Sequence, residues 1–376
     1  MHKLQMVDLK RQYQKIKSEV DTAIQHVIVN TAFIGGPDVH AFAKEIAEYI
    51  GVKHAIPCAN GTDALQIALM ALGLQPGDEV ITPSFTYMAT VEVVLLLRLT
   101  PVFVDVDEDT FTMNLDSLKN AITDKTKAII PVHLYGQSAN MEPLLAIANE
   151  HNIPVVEDNA QAIGGTYTFS DGRTAKTGSM GVISCTSFFP SKNLGGYGDG
   201  GAMFTNDDAL ADKLKMIANH GQKVRYYHEM VGCNSRLDTI QAAILRIKLR
   251  HLDEYCAARS SAADYYDNAF KNNPKITTPF RAGYSKHVFH QYTLKLNGVD
   301  RDAVNLALAD RGVPSMIYYP VPCHKQKMVT DLTSQAFQLP VTDMLQDMVI
   351  SLPMHTELTE EELRFIVENV LAVVNG

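Results

Sequence analysis

The chain has no apolar run long enough to cross a bilayer. VEVVLLL, Val91 to Leu97, is the most apolar early stretch and is far too short. The N-terminal MHKLQMVDLKRQYQ lacks the apolar core that a signal peptide requires. A surplus of positive charge is also missing. The formal net charge of −9 argues against broad attraction to nucleic acid or to anionic membrane. It leaves room for a small anionic ligand in a local site. Cysteine is scarce: five residues, widely spread and without metal-type spacing, so no metal site is expected and a reduced cytoplasmic protein fits best. No GxGxxG follows the first expected strand, which weakens a dinucleotide-binding reading. Internal repeats and low-complexity segments are absent as well.

What remains is a chain of 376 residues with 46% apolar content, enough for one large domain and a smaller one. The first fifteen residues look like an arm, followed by helical periodicity over Ser18 to Val29 and again over Val39 to Ile50. From HAIPCA onward, short apolar strands alternate with helices as far as IPVVEDNA. That rhythm predicts a mostly parallel sheet with helices on both faces. GVISCTSFF and GAMFTN read as strands on either side of a glycine-rich loop. A single long helix is expected over Thr239 to Phe270. It divides a first unit, residues 1–245, from a small C-terminal α/β unit, residues 246–376.

Four features fall at the C-terminal ends of expected strands, where open α/β sheets bind ligands. In NGTDAL a helix begins at Gly61-Thr62-Asp63 and offers free N–H groups to a phosphate. In VVEDNAQA, Asp158 ends an otherwise apolar strand. SFFPSKNLGGYGDGG carries Ser187 and Lys192 ahead of five glycines, read as backbone bent tightly beside a bulky ligand. PSFTYMAT offers the ring of Tyr87. Each has an ordinary structural reading: a helix cap, a satisfied core acid, a solvated lysine. Together they describe a holder for a phosphorylated aromatic cation. Lys192 forms an imine with it, Asp158 pairs with a protonated ring nitrogen, and Ser187 and backbone amides take the phosphate. Pyridoxal 5'-phosphate has that chemistry.

The motifs FIGGPDVHAF, CANGTDAL, PSFTYMAT, PVFVDVDEDTFTMN, VVEDNAQAIGG, SFFPSKNLGGYGDGGA, GCNSRLDTIQAA and YYPVPCHKQ stand here in one order. In this the chain resembles the DegT/DnrJ/EryC1/StrS sugar aminotransferases, pyridoxal-phosphate enzymes of fold type I, along essentially its whole length, which implies a large domain with a mostly parallel seven-stranded sheet. The resemblance implies that Lys192 bonds the cofactor, that Asp158 meets its ring nitrogen, and that Gln161 meets its ring hydroxyl. Tyr87 would stack on the ring, and Gly61, Thr62 and Ser187 would hold the phosphate. It implies that Asn234 reaches the phosphate of a neighbouring subunit, which requires at least a homodimer with a shared active site. Lys10, Arg225, Tyr226, Arg236, Tyr319 and His324 are implied as sugar or nucleotide contacts. Cys233 and Cys323 depart from the family pattern, which has an aromatic and a leucine there.

The activity implied is transfer of an amino group from L-glutamate, giving 2-oxoglutarate, through pyridoxamine 5'-phosphate to a nucleotide-linked keto sugar. The loop wording most resembles the branch acting at C3 of a UDP-linked 2-acetamido-3-keto uronic acid in surface polysaccharide synthesis. A dTDP-3-keto-6-deoxyhexose and a C4-keto sugar are the alternatives. A sugar dehydratase resembles this pattern less, because its lysine position holds histidine. A non-catalytic regulator would need a basic or DNA-binding feature that the chain lacks.

Overall fold

The computed structural model describes residues 3–333 and 335–376. Helix α1, Leu9–Val29, starts nine residues before the expected Ser18, because Asp8 caps it. The Asp8 carboxylate accepts from the Arg11 N–H at 2.9 Å and from Arg11 Nε at 2.6 Å. Arg11 also bonds Glu362 at 2.8 Å, which ties the start of the chain to its end. Helix α2, Pro37–Ile50, has proline in its first turn and closes on Gly51 at φ 82°, a left-handed cap that favours glycine.

The alternating part follows as β1 (His54–Cys58), α3 (Gly61–Leu72), β2 (Glu79–Pro83), α4 (Ala89–Leu96) and β3 (Thr100–Val104). It continues with α5 (Leu115–Ala121), β4 (Thr126–Ile129), α6 (Met141–Glu150) and β5 (Val156–Asp158). A side hairpin, β6 (Thr166–Thr168) and β7 (Thr174–Lys176), precedes β8 (Ile183–Ser187), β9 (Gly201–Thr205) and α7 (Asp208–Ala218). Strands pair in the orders β3-β2-β4 and β1-β9-β8-β5. Parallel bridges Ile129 to Val155 and Val132 to Asp158 join the two sets edge to edge. Only β9 runs against its neighbours.

Both faces of this sheet are covered, so its strands are apolar on both sides. Val156, Ile183 and Cys185 pack with α3, α4 and α7 in one core. Val155 and Ile129 pack with α5 and α6 in another. Side chains alternate along a strand. Asp158 therefore shares the α3 side with Val156, Ser187 shares it with Cys185, and Glu157 turns to the opposite side.

Beyond the sheet come the exposed hairpin β10 (Gln222–Val224) and β11 (Tyr227–His228), then α8 (Thr239–Arg250) and α9 (Leu252–Phe270). The long helix expected over Thr239 to Phe270 is therefore two helices. His251, at φ −100° and ψ 0°, departs from regular helix geometry and bonds its N–H to the Lys248 carbonyl, only three residues back. The first residues of α9, Leu252 and Cys256, pack under the large sheet. Its second half, Ala262 to Phe270, enters a separate core. That core holds β12 (Ile276–Thr277), β14 (Tyr292–Leu296), α10 (Arg301–Asp310), β15 (Val349–Leu352) and α13 (Glu360–Asn375), together with Leu4. Strand β13 (Ser285–Lys286) extends the β6–β7 hairpin, and α11 (Lys327–Thr330) and α12 (Pro340–Met348) connect α10 to β15.

Candidate active site

A cavity of about 800 Å³ opens at the C-terminal ends of β5 and β8. Its floor carries Asp158, 5% exposed, whose carboxylate accepts from the Thr90 hydroxyl at 2.8 Å and from the Ala160 N–H at 3.1 Å. Burial raises its pKa, and the Thr90 and Ala160 bonds with the nearby Lys192 charge offset only part of that. Lys192 enters from the loop after β8. Its residue is partly open to the cavity, yet desolvation of the ammonium pushes its pKa down to about 8 against the pull of Asp158. A lysine near neutrality and a carboxylate in one enclosed space suit proton transfer.

The rim is the start of α3. Asn60 caps it by accepting from the Asp63 N–H at 2.8 Å, and the first helical backbone bond runs from Ala64 to Asn60. The N–H groups of Gly61 and Thr62 therefore stand outside the helix ladder, at its positive end. A side chain at Gly61 would place its Cβ 2.7 Å from the Ser187 Cβ, so glycine is what lets strand β8 and helix α3 meet. Gly201 makes the same kind of approach, 2.4 Å from the Asn60 carbonyl.

The glycines after Lys192 correct one expectation. None of Gly195, Gly196, Gly198, Gly200 or Gly201 has positive φ. Their missing side chains make room for the protein's own atoms: the Pro190 carbonyl, Gln241, Phe188 and Asn60. They close the loop against the body of the protein rather than around a ligand.

Gln161 lines the cavity with both ends of its amide engaged. Its Oε1 accepts from the Tyr135 N–H at 2.7 Å and its Nε2 donates to the Tyr319 hydroxyl at 3.0 Å. Tyr319 is in the wall. Tyr87 is 61% exposed at the mouth, its ring 6.3 Å from that of Tyr319. The structure thus brings Lys192, Asp158, Gly61, Thr62, Tyr87, Gln161, Ser187 and Tyr319 around one space.

Other expected residues stand apart from it within one chain. Asn234 and Arg236 are exposed after the β10–β11 hairpin, where Asn234 bridges to Asn219. Arg225 and Tyr226 form the exposed turn of that hairpin, with the guanidinium 4.9 Å over the ring. Lys10 is exposed on α1. His324 bonds the buried Ser84 hydroxyl at 2.7 Å and approaches Asp343 at 3.3 Å, pinning the Tyr318-to-Lys325 segment beside the end of β2. Cys323 and Cys233 also lie away from the cavity, bonding the Thr86 carbonyl and Gln66. Thr90 and His290 border the site without having been expected. Thr90 sits about one helical turn after Tyr87, a spacing that could have flagged it. His290 precedes a strand and carries no signal in the sequence.

The DegT/DnrJ/EryC1/StrS aminotransferase family matches residues 14–371. The chain belongs to that family. Among curated aminotransferase relatives, it is 47% identical to the UDP-2-acetamido-2-deoxy-3-oxo-D-glucuronate aminotransferase of Pseudomonas aeruginosa, over 96% of this chain and 98% of that one. It is 44% identical to the UDP-N-acetyl-3-dehydro-alpha-D-glucosamine 3-aminotransferase of Acidithiobacillus ferrooxidans, over 99% and 98%. A Geobacillus stearothermophilus protein named as a pleiotropic regulatory protein is also 44% identical, over 97% of each. Among solved structures, the Bacillus subtilis NtdA with bound cofactor PMP superposes with a TM-score of 0.92 at 32% identity, covering 100% of this chain and 86% of that one. In the described residues no helix is long and apolar enough to cross a membrane.

Proposed function

We infer that the chain is a pyridoxal-phosphate-dependent aminotransferase that aminates C3 of a UDP-linked 2-acetamido-3-keto hexuronic acid, with L-glutamate as donor. It acts as a cytoplasmic homodimer in surface polysaccharide synthesis. The observation that carries the reading is the meeting of Lys192 and Asp158 in one cavity beneath the open end of α3. The residues fit the cofactor. A buried carboxylate with donors from only Thr90 and Ala160 among the described residues has room for a protonated ring nitrogen. The Gly61–Ser187 approach forms a cradle, polar on both sides, for a phosphate. The two UDP-sugar relatives support the choice of acceptor, and the PMP-bound neighbour supports the cofactor.

The bound cofactor supplies an aldehyde that condenses with amines and a ring that accepts an electron pair. This chain's residues do the rest. Lys192 would hold the cofactor through its amine and, once that amine is free, would move the proton of the donor carbon as base and acid in turn. Asp158 would hold a positive charge at the ring nitrogen. Gln161, its amide held by Tyr135 and Tyr319, would meet the ring's hydroxyl. Asn234, Arg225 and Arg236 are exposed in one chain, as groups serving a partner's cavity must be. Arginine's planar fork matches a uronate carboxylate.

A panel of aminated nucleotide sugars, run in reverse with 2-oxoglutarate, tests the substrate. A change in the cofactor's visible absorbance with the UDP-linked 3-amino uronic acid is expected. A response only to a dTDP-3-amino-6-deoxyhexose or a 4-amino sugar would transfer the assignment to those acceptors. Lys192→Ala should abolish the visible band and lower turnover on the order of 10⁴-fold. A protein that takes up no cofactor at all would overturn the reading.

A further inference from the structure

Each oxygen of the Asp158 carboxylate has one donor. The Ala160 N–H reaches Oδ1 at 3.1 Å, and the Thr90 hydroxyl reaches Oδ2 at 2.8 Å. The first donor is local, two residues along the chain. The second comes from a different element, since Thr90 is the second residue of α4 and lies 68 residues earlier. With both oxygens engaged, the carboxylate is hindered from turning about its Cβ–Cγ bond. Its remaining lone pairs keep one direction.

Thr90 is 1% exposed, and its hydroxyl has an uncommon target. A threonine in a helix ordinarily bonds the carbonyl three or four residues back. Four back is Thr86, whose carbonyl accepts from the Cys323 thiol at 3.4 Å. The Thr86 hydroxyl, in a residue 3% exposed, lies 3.3 Å from that of Thr90. Counting hydrogens gives the direction of these bonds. An ionised carboxylate only accepts, so the single O–H of Thr90 goes to Asp158, and Thr86 must donate to Thr90. Two hydroxyl dipoles then line up toward the carboxylate, each strengthening the next. Thr86 lines the cavity and Asp158 is its floor, so the chain of hydroxyls runs from wall to floor.

Few other groups support the charge. Burial raises the Asp158 pKa, and the Thr90 and Ala160 bonds, with Lys192 and His133 nearby, offset only part of that. Cys185 stands opposite Asp158 on β8, and Tyr319 is in the cavity wall. Burial keeps both uncharged. Glu157 faces the far side of β5.

We propose that Thr90 is a positioning residue for Asp158: its hydroxyl, backed by that of Thr86, aims the carboxylate into the cavity and keeps it ionised to receive a protonated ring nitrogen. The aminotransferase reading supplies that nitrogen, but the first test does not depend on it. In the cofactor-free full-length chain, ionisation of Asp158 is followed by carbon-13 NMR of carboxyl-labelled aspartate across pH. The resonance is identified by its loss in Asp158→Asn. Its native midpoint should lie above 3.8. In Thr90→Val, which keeps the shape and removes the donor, the midpoint should rise by about one further pH unit, or about tenfold in the protonation equilibrium. Thr90→Ala, a second donor-free variant, should move it in the same direction, and Thr90→Ser, which keeps the hydroxyl, should restore it. Thr86→Val should raise it by less, because the outer hydroxyl acts only through the inner one. Binding of pyridoxamine 5'-phosphate, which cannot form an imine with Lys192, should weaken by about tenfold in Thr90→Val and recover in Thr90→Ser.

An unmoved midpoint in the folded donor-free variants would overturn the proposal. Equal displacement in Thr90→Ser and Thr90→Val would trace the effect to packing rather than to the hydroxyl, and would overturn it too. So would a larger shift in Thr86→Val than in Thr90→Val. If the native protein binds no pyridoxamine 5'-phosphate, the aminotransferase reading fails, while the titration still decides the role of Thr90.

Discussion

Glu157 and Asp158 are neighbours on β5 and face opposite sides of the sheet. Both carboxylates are buried, and their surroundings drive them apart. Glu157 accepts from His133 Nε2 at 2.8 Å, from the Gly178 N–H at 2.9 Å, and from the Met180 and Gly181 N–H groups at 2.6 Å each. Burial pushes its pKa up, but those bonds outweigh burial and hold it below the usual range. His133 Nδ1 accepts from the Ala139 N–H, so the ring is a neutral donor toward Glu157. Asp158 has two donors and a raised pKa. One acid is used up by the fold, and the other is left under-satisfied at a cavity. A carboxylate waiting for a cationic partner should look like the second.

The comparison breaks most sharply on function. Asp158→Asn keeps the shape and the Thr90 contact but cannot hold a charge at a ring nitrogen. Turnover should fall on the order of 10²–10³-fold. Stability of the cofactor-free protein should stay level or rise, because a desolvated carboxylate has been removed. Steady-state rates and urea midpoints on the same preparations separate the two effects, and a large stability loss in this variant would contradict the reading.

Glu157→Gln should do the reverse. A glutamine offers one acceptor oxygen where several donors converge and places an N–H₂ against one of them. Leaving donors unmatched around this buried site costs about 3 kcal/mol, read as a lower urea midpoint. Turnover per folded molecule should change by less than about threefold, since Glu157 does not border the cavity. If turnover collapsed while the midpoint held, Glu157 would be a functional acid and the contrast between the two faces would fail.

The sequence carried one side of this comparison and not the other. Asp158 was legible because an acid ending an apolar strand is a local oddity, and Lys192 gained meaning from it. Glu157 is equally odd in VVEDNA, yet its satisfaction comes from His133 and from the 178–181 turn, more than twenty residues away on each side. No local pattern reports that. The break at His251 was hidden for a similar reason, because apolar periodicity runs through both α8 and α9. The earlier start of α1 could have been found in the Asp8–Arg11 spacing. For His324 the family resemblance implied a sugar or nucleotide contact, and its bonds to Ser84 and Asp343, distant in sequence, could not be read from the local pattern.

The smallest effect is also the most diagnostic, because the two faces should respond to acid with opposite sign. A carboxylate with a depressed folded-state pKa binds more protons when unfolded, so its stabilisation is present above the unfolded value and is lost as pH falls through the folded one. The advantage of the native protein over Glu157→Gln should therefore be full above 4.5 and shrink as pH drops through a midpoint below it. Asp158 has a raised folded-state pKa, so it binds more protons when folded and weakens the fold at neutral pH. The advantage of Asp158→Asn over the native protein should be full above that raised midpoint and fade as pH falls toward 3.8, where the native Asp158 is protonated in the fold as well. Urea midpoints of the three cofactor-free proteins across the acid range should thus converge from opposite directions. If both differences moved the same way, the two carboxylates would share one electrostatic environment, and the division of labour across β5 would be wrong.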